Sequence, residues 1–291
     1  TGENGRENFY QKTVGSKAST PIEVVDMGLR GFTRKIGILK DYNANFQCGQ
    51  CHNAANRYLT YKWLKDDKPV RPEDLQKAGV SPYATEFFKD PLESWAWFKA
   101  KGWHQGVNGT TGVHYVNGSD HPHVEIMLQS KHGQAGVTCT DCHFARKADG
   151  KAEHQPSLVK LKVENTCMRS ACHGPGSKSN WTDPGQALYT IEAIQQEYRI
   201  RVQKMEMAAK DAQRIFMKLK AGEASLPQEV KEKLETAYEK YLSARDWYLT
   251  DLSSGFHDPE GFNRTVSVVT WELRKTNAAA QGALKKTPVK Q

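Results

Sequence analysis

Residues 167–173 read CMRSACH, two cysteines followed at once by a histidine but four residues apart. Two other stretches, CGQCH at 48–52 and CTDCH at 139–143, have the same ending with two residues between the cysteines. The chain has six cysteines in 291 residues, and all six sit in these three stretches. A Cys-x-x-Cys-His sequence is the attachment signature of haem c. The two thiols form thioether bonds to the porphyrin vinyl groups, and the adjacent His lies under the iron as its axial ligand. The alternatives fit worse. A structural zinc needs four ligands, for instance two close Cys-x-x-Cys pairs, and these pairs are far apart in sequence. Three redox-active disulfides, each ending in His, have no chemical reason. In CMRSACH the two sulfurs and the His remain the anchors, and Met168, Arg169, Ser170 and Ala171 form a wider loop over one haem edge. Three covalent haem c groups are therefore expected, on Cys48 and Cys51, Cys139 and Cys142, and Cys167 and Cys172, with His52, His143 and His173 as proximal ligands. Only 38% of the residues are hydrophobic, a thin supply for a core of this length, and three macrocycles would add apolar volume.

Of the ten histidines, seven remain: His104, His114, His121, His123, His132, His154 and His257. Six of these fall between the first and last haem motifs. This surplus favours two imidazoles per iron over the His/Met pair of many monohaem cytochromes. An iron closed on both faces moves electrons and binds no substrate.

The texture of the chain changes near residue 182. Residues 1–45 are polar, with short apolar pieces (IEVVDMGL and FTRKIGIL). Residues 46–180 are rich in Gly, Pro, Asn and His, which predicts short helices and loops wrapped on haem. The run WAWFKAKGWH at 95–104 is aromatic-dense and reads either as core packing or as a stack against a porphyrin. From Asp183-Pro184, an N-cap followed by proline at the first helical position, Ile191, Tyr198, Met205, Ala212 and Leu219 recur every seven residues. This predicts one long helix ended by Gly222. A second opens at Pro227 with the stripe Val230, Leu234, Ala237, Tyr241, Ala244 and Tyr248, and a third follows Pro259. The expected fold is mainly α: a loop-rich haem-wrapping region over 1–182 with little sheet, then long antiparallel helices over 183–291. No nucleotide loop, Ser triad or nucleic-acid module is visible, and no run of 18 apolar residues predicts a membrane span. The first residue is Thr and no hydrophobic leader follows, so the sequence reads as a mature, exported form, periplasmic or extracellular. The net charge of +8 fits acidic redox partners or compensation of haem propionates.

Taken together, SDHPHVEIMLQSKHGQAGVTCTDCH at 119–143, KAEHQPS at 151–157, the last haem motif, the long helices and GFHDP at 255–259 resemble a known family. It is the C-terminal half of the multihaem cytochromes that include pentahaem nitrite reductase and octahaem hydroxylamine oxidoreductase. NANFQCGQCHN at 43–53 resembles their preceding haem site, so the resemblance covers roughly residues 40–285. It implies that His132 is the distal ligand of the haem on His173, and His257 that of the haem on His143. It matches His154 to a ligand for a haem of the family's N-terminal half, His121 to the His above the catalytic haem, and Asp120 to its acidic neighbour. The sequence also departs from the pattern. It has no Cys-x-x-Cys-Lys site and nothing matching the N-terminal half, and Ala54 and Ala55 stand where nitrite reductases carry Glu and Tyr. The haem on His52 then needs a sixth ligand from His104, His114 or His123, from a neighbouring chain, or has none. The leading expectation is a trihaem electron-transfer cytochrome whose partners are other redox proteins, another multihaem cytochrome first among them. One alternative is the haem subunit of an enzyme acting on small nitrogen compounds, with Asp120 and His121 as candidate catalytic residues. Another is a subunit of a homo- or hetero-oligomeric haem wire.

Overall fold

The structure, a computed structural model, describes residues 23–29, 32–38, 45–49, 52, 63–77, 88–116, 121–144, 151 and 156–286. Cys51, Asp120 and His154 lie outside the described residues. The two apolar pieces near the start form an antiparallel hairpin, β1 (Glu23–Leu29) and β2 (Phe32–Ile38), with Leu29 opposite Phe32 across the turn. A second small sheet has the order β4-β3-β5, built from β3 (Leu64–Lys65), β4 (Lys68–Pro69) and β5 (Trp103–His104). Asp66 and Asp67 both take positive φ, 51° and 59°, as a two-residue hairpin turn requires.

The described residues of the haem-motif region form only short helices: α1 (Asn45–Cys48), α2 (Pro72–Lys77), α3 (Pro91–Ala100), α4 (His123–Gln129), α5 (Lys131–Gln134) and α6 (Cys139–His143). A 3-10 turn over Pro156–Lys162 leads into the third motif.

Three long helices form the rest: α7 (Pro184–Lys220), α8 (Gln228–Leu249) and α9 (Pro259–Lys286). Asp183 caps α7 by accepting the Gly185 N–H, while Gln186 Oε1 accepts the Asp183 N–H at 3.2 Å. The seven-residue stripe points inward, with Met205 and Ala212 fully buried and Ile191 and Tyr198 nearly so. Contacts along the helices set their directions. Tyr198 packs on Phe262 (4.6 Å between ring centroids), and Asn277 Nδ2 donates to the Ala208 carbonyl at 2.8 Å, so α9 runs parallel to α7. Phe216 meets Tyr238 (5.4 Å) while Glu206 pairs with Arg245, and Tyr248 meets Phe262 (4.9 Å) while Lys240 pairs with Glu272, so α8 is antiparallel to both. The expected antiparallel pair is thus α7 with α8, and α9 completes a three-helix bundle.

The aromatic run packs as protein core. Trp63 stacks on Phe98 at 4.0 Å, Trp97 meets Phe98 and Trp103 edge-on, and α3 lies against α8. There Lys99 and Trp95 both donate to Glu239, at 2.7 and 3.3 Å. One buried cluster runs from Trp63 and Phe98 through Met205, Leu234 and Leu273, across the change of texture at residue 182. The segment 250–258 between α8 and α9 returns the chain to the start of α7, where Gln195 Nε2 donates to the Ser253 carbonyl at 2.9 Å. That end of the bundle carries the haem motifs: Cys167, Met168, Trp181 and Phe256 pack on Val163, Ala187 and Ile191.

Candidate functional site

The three motifs converge at one end of the bundle because short hydrogen-bonded turns tie each to the next. Asn45, fully buried at the start of α1, accepts the Cys139 N–H on Oδ1 at 2.7 Å. This links the first motif to the second. In CTDCH, Asp141 Oδ2 accepts the Thr138 N–H and hydroxyl, each at 2.8 Å, which starts α6 at Cys139. The other Asp141 oxygen lies 3.4 Å from Arg169 Nη2, which links the second motif to the third. Arg169 comes from the widened spacer of CMRSACH. That loop is a closed turn: the His173 N–H donates to the Cys167 carbonyl and the Gly174 N–H to that of Arg169, both at 3.0 Å. The two extra residues are thus taken up in a turn that leaves Cys167, Cys172 and His173 together. None of the five described cysteines is in a disulfide. Burial, with Cys48 adjacent, pushes the Cys139 thiol up to about 12, and burial beside Cys167 pushes Cys142 up to about 11.

The imidazoles gather at the same end. His143 faces His257 with ring centroids 6.2 Å apart and planes at 60°, and His132 faces His173 at 6.0 Å and 88°. Two imidazoles on opposite sides of one metal, each bonded at about 2 Å, have ring centroids about 6 Å apart. Both separations match that figure, and His257 also has His123 as a ring neighbour at 5.6 Å. His52 is exposed and has two ring neighbours, His121 at 5.7 Å and His123 at 5.2 Å. Its Nδ1 lies only 3.2 Å from His123 Nδ1, a hydrogen-bond distance with no room for a metal between those two atoms. His123 also accepts the Leu252 N–H on Nε2 at 3.3 Å. Burial, assisted by His257, pushes the His123 imidazole down to about 4, so that ring is neutral. Burial also lowers His132, with His173 adding to the effect. Neutral imidazole is the form a metal binds. His121 holds φ 144°, in the region that favours glycine, so its backbone is strained beside His52. His104 and His114 stack on each other at 4.5 Å in the segment after α3, and that segment meets α7 near its C-terminal end, where Lys220 donates to the Gly109 carbonyl. Among the described residues no ring contact joins either of them to His52.

Sequence reasoning missed the groups that hold these rings by their second nitrogen. Asp251 Oδ1 lies 3.1 Å from His257 Nδ1, and Ser179 Oγ lies 2.9 Å from His173 Nδ1. The Asp251 side chain is 1% exposed. Burial opposes its ionisation, but hydrogen bonds from His257 and Ser253 outweigh this and hold its carboxyl below the usual range. A signal was present in TDLSSGFHDP. Asp two residues before Ser is the pattern of a side chain closing a turn on its own backbone, and the Ser253 N–H does bond Asp251 Oδ1 at 3.0 Å.

Paired thiols next to histidines, with further imidazoles across from two of them, define a multihaem c-type cytochrome. The family model for cytochrome c552 matches residues 43–291, and the chain belongs to that family. It is 28% identical to a cytochrome c-552 of Bacteroides thetaiotaomicron over 138 residues, covering 43% of this chain and 22% of that protein. It is 23% identical over 223 residues to the cytochrome c nitrite reductase subunit NrfA of Nitratidesulfovibrio vulgaris, covering 73% of this chain and 40% of that one. The fold resembles the solved catalytic subunit of cytochrome c nitrite reductase from Desulfovibrio desulfuricans, with a TM-score of 0.58, 20% identity, and coverage of 83% of this chain and 49% of the other. The chain thus spans well under half the length of the relatives it matches in sequence. Family membership brings covalently bound haem c with it. No helix among the described residues is long and apolar enough to cross a membrane.

Proposed function

We propose that this chain carries three haem c groups and passes electrons between redox partners outside the cytoplasm. Cys48, Cys51 and His52 would hold the first, Cys139, Cys142 and His143 the second, and Cys167, Cys172 and His173 the third. The observation that carries this reading is the pair of ring separations, 6.2 Å for His143 with His257 and 6.0 Å for His132 with His173. In that reading His257 and His132 close the second and third irons to substrate. A haem iron held between two imidazoles supplies reversible one-electron chemistry. The chain's own residues supply the rest. Asn45, Asp141 and Arg169 fix the attachment turns against one another, and the hydrogen-bond partners of His257 and His173 fix the ring planes. Partners are acidic redox proteins, another multihaem cytochrome among them, drawn by the net charge of +8 with rates that fall as salt rises. His154 is reserved in this reading for a haem on a neighbouring chain in an oligomer. Intact mass of the exported protein tests the count: three added haems are expected, and a bare polypeptide mass overturns the reading. Spectra of two fully low-spin centres that ignore nitrite, hydroxylamine and carbon monoxide are expected for the haems on His143 and His173.

A second reading is that the chain is the haem-relay part of an enzyme acting on nitrite or hydroxylamine. It is favoured by His121, strained and 5.7 Å from the exposed His52, which would complete a reactive centre with Asp120. Steady nitrite reduction by the isolated protein, or co-purification with a second multihaem chain, would decide for it.

A further inference from the structure

We propose that Asp251 is a positioning residue that makes the haem centre between His143 and His257 the most strongly reducing of the three. The proposal rests on the reading that these two rings face one iron.

Three of the motif and distal histidines have a described partner at the second ring nitrogen. His52 Nδ1 meets a neutral imidazole, His123, at 3.2 Å, and His173 Nδ1 meets a hydroxyl, Ser179, at 2.9 Å. His257 Nδ1 meets a carboxylate oxygen at 3.1 Å. Every other group on Asp251 is a donor. Oδ1 also accepts the Ser253 N–H at 3.0 Å, and Oδ2 accepts the Ser253 hydroxyl at 2.7 Å and the Gly255 N–H at 3.1 Å. A carboxyl surrounded by donors has no acceptor to give a proton to, so it stays charged. Among the described residues no Lys or Arg nitrogen lies within 4 Å of it. The His257 proton must then sit on Nδ1, which leaves the Nε2 lone pair free for the metal.

Two effects follow, and both act in one direction. A hydrogen bond from imidazole to carboxylate raises the basicity of the ligating nitrogen, which favours the ferric over the ferrous iron. A fixed negative charge 1% exposed to solvent also opposes the arrival of an electron, with little water to screen it. Reduction adds one electron to the iron and moves no proton, since Nδ1–H and the carboxylate remain as they were. Electrons therefore rest on this centre last and leave it first.

The test is a spectroelectrochemical titration of the full haem-loaded chain. Asp251→Asn is expected to move one midpoint to more positive potential, leave the other two in place, and alter the low-spin signal of that one centre. Ser253→Ala removes a donor from Asp251 and the acceptor of the His257 N–H, and is expected to move the same midpoint and no other. His257→Ala identifies the centre by turning it high-spin. If Asp251→Asn shifts no midpoint, or shifts all three together, the proposal is overturned. If His257→Ala leaves every centre low-spin, the pairing beneath the proposal fails, a separate and distinguishable result.

Discussion

Gly174 follows the third haem-motif histidine and has no space for a side chain. A Cβ there would overlap the Met168 carbonyl oxygen, backbone that cannot swing aside. The widened spacer is thus held against the residue after His173, and the attachment turn closes only with glycine. Gly174→Ala should cost roughly 1–3 kcal/mol and lower the fraction of chains carrying the third haem, seen as a loss of one haem by intact mass. Asp246 shows a different kind of single-residue control. Its oxygen is 3.8 Å from Arg245, yet burial dominates and pushes the carboxyl up from 3.8 to about 6. A folded-state value above the unfolded one means that the protonated form is preferred on folding. Its relative stabilisation is fully present below pH 4 and is lost as pH rises through 6. Asp246→Asn should therefore raise the melting temperature at pH 8 and leave it nearly unchanged at pH 4. At this scale much was legible. The Cys-x-x-Cys-His spacing is written in the sequence because thioether chemistry imposes it. The ring-to-ring distances were not legible, because they depend on how loops distant in sequence meet, whereas Asp251 left a local turn signal that did not disclose its partner His257.

Among the elements, the long helices were the most readable, since caps and seven-residue stripes are local signals that tertiary packing seldom overrides. Asp183-Pro184, Pro227 and Pro259 each stand at or within one residue of a helix start. The hairpin of β1 and β2 was read only as apolar pieces, because pairing lies between segments and not within them. The direction of α9 was equally invisible, being set by Asn277, Phe262 and Lys240 meeting other helices. Docking of α3 on α8 turns on one ion pair, with Glu239 4% exposed and Lys99 46% exposed. Lys99→Met should cost roughly 1–3 kcal/mol, because it leaves the buried Glu239 carboxylate with Trp95 as its remaining described side-chain donor. Adding Glu239→Gln should recover most of that loss in denaturant unfolding.

At the scale of the whole molecule, apolar burial is uneven. The main cluster fills the bundle and the Trp63–Phe98 layer, whereas the third-motif region adds only Val163, Ala187 and Ile191 with partly buried neighbours. In the proposed reading macrocycles complete the second region, so its order should depend on them. A chain exported without haem attachment should retain slow hydrogen exchange in α7, α8 and α9 and lose it over 121–144 and 156–182, measured by mass spectrometry.

The α7–α8 turn at 221–227 lies at the far end of a 37-residue helix, about 55 Å from its start. Because the motifs cluster at that start, the proposed haems would make the molecule polar in the electrical sense, with one conducting tip and one insulating shaft. Anchored to an electrode by the shaft's end it would be mute, and anchored by the tip it would carry current.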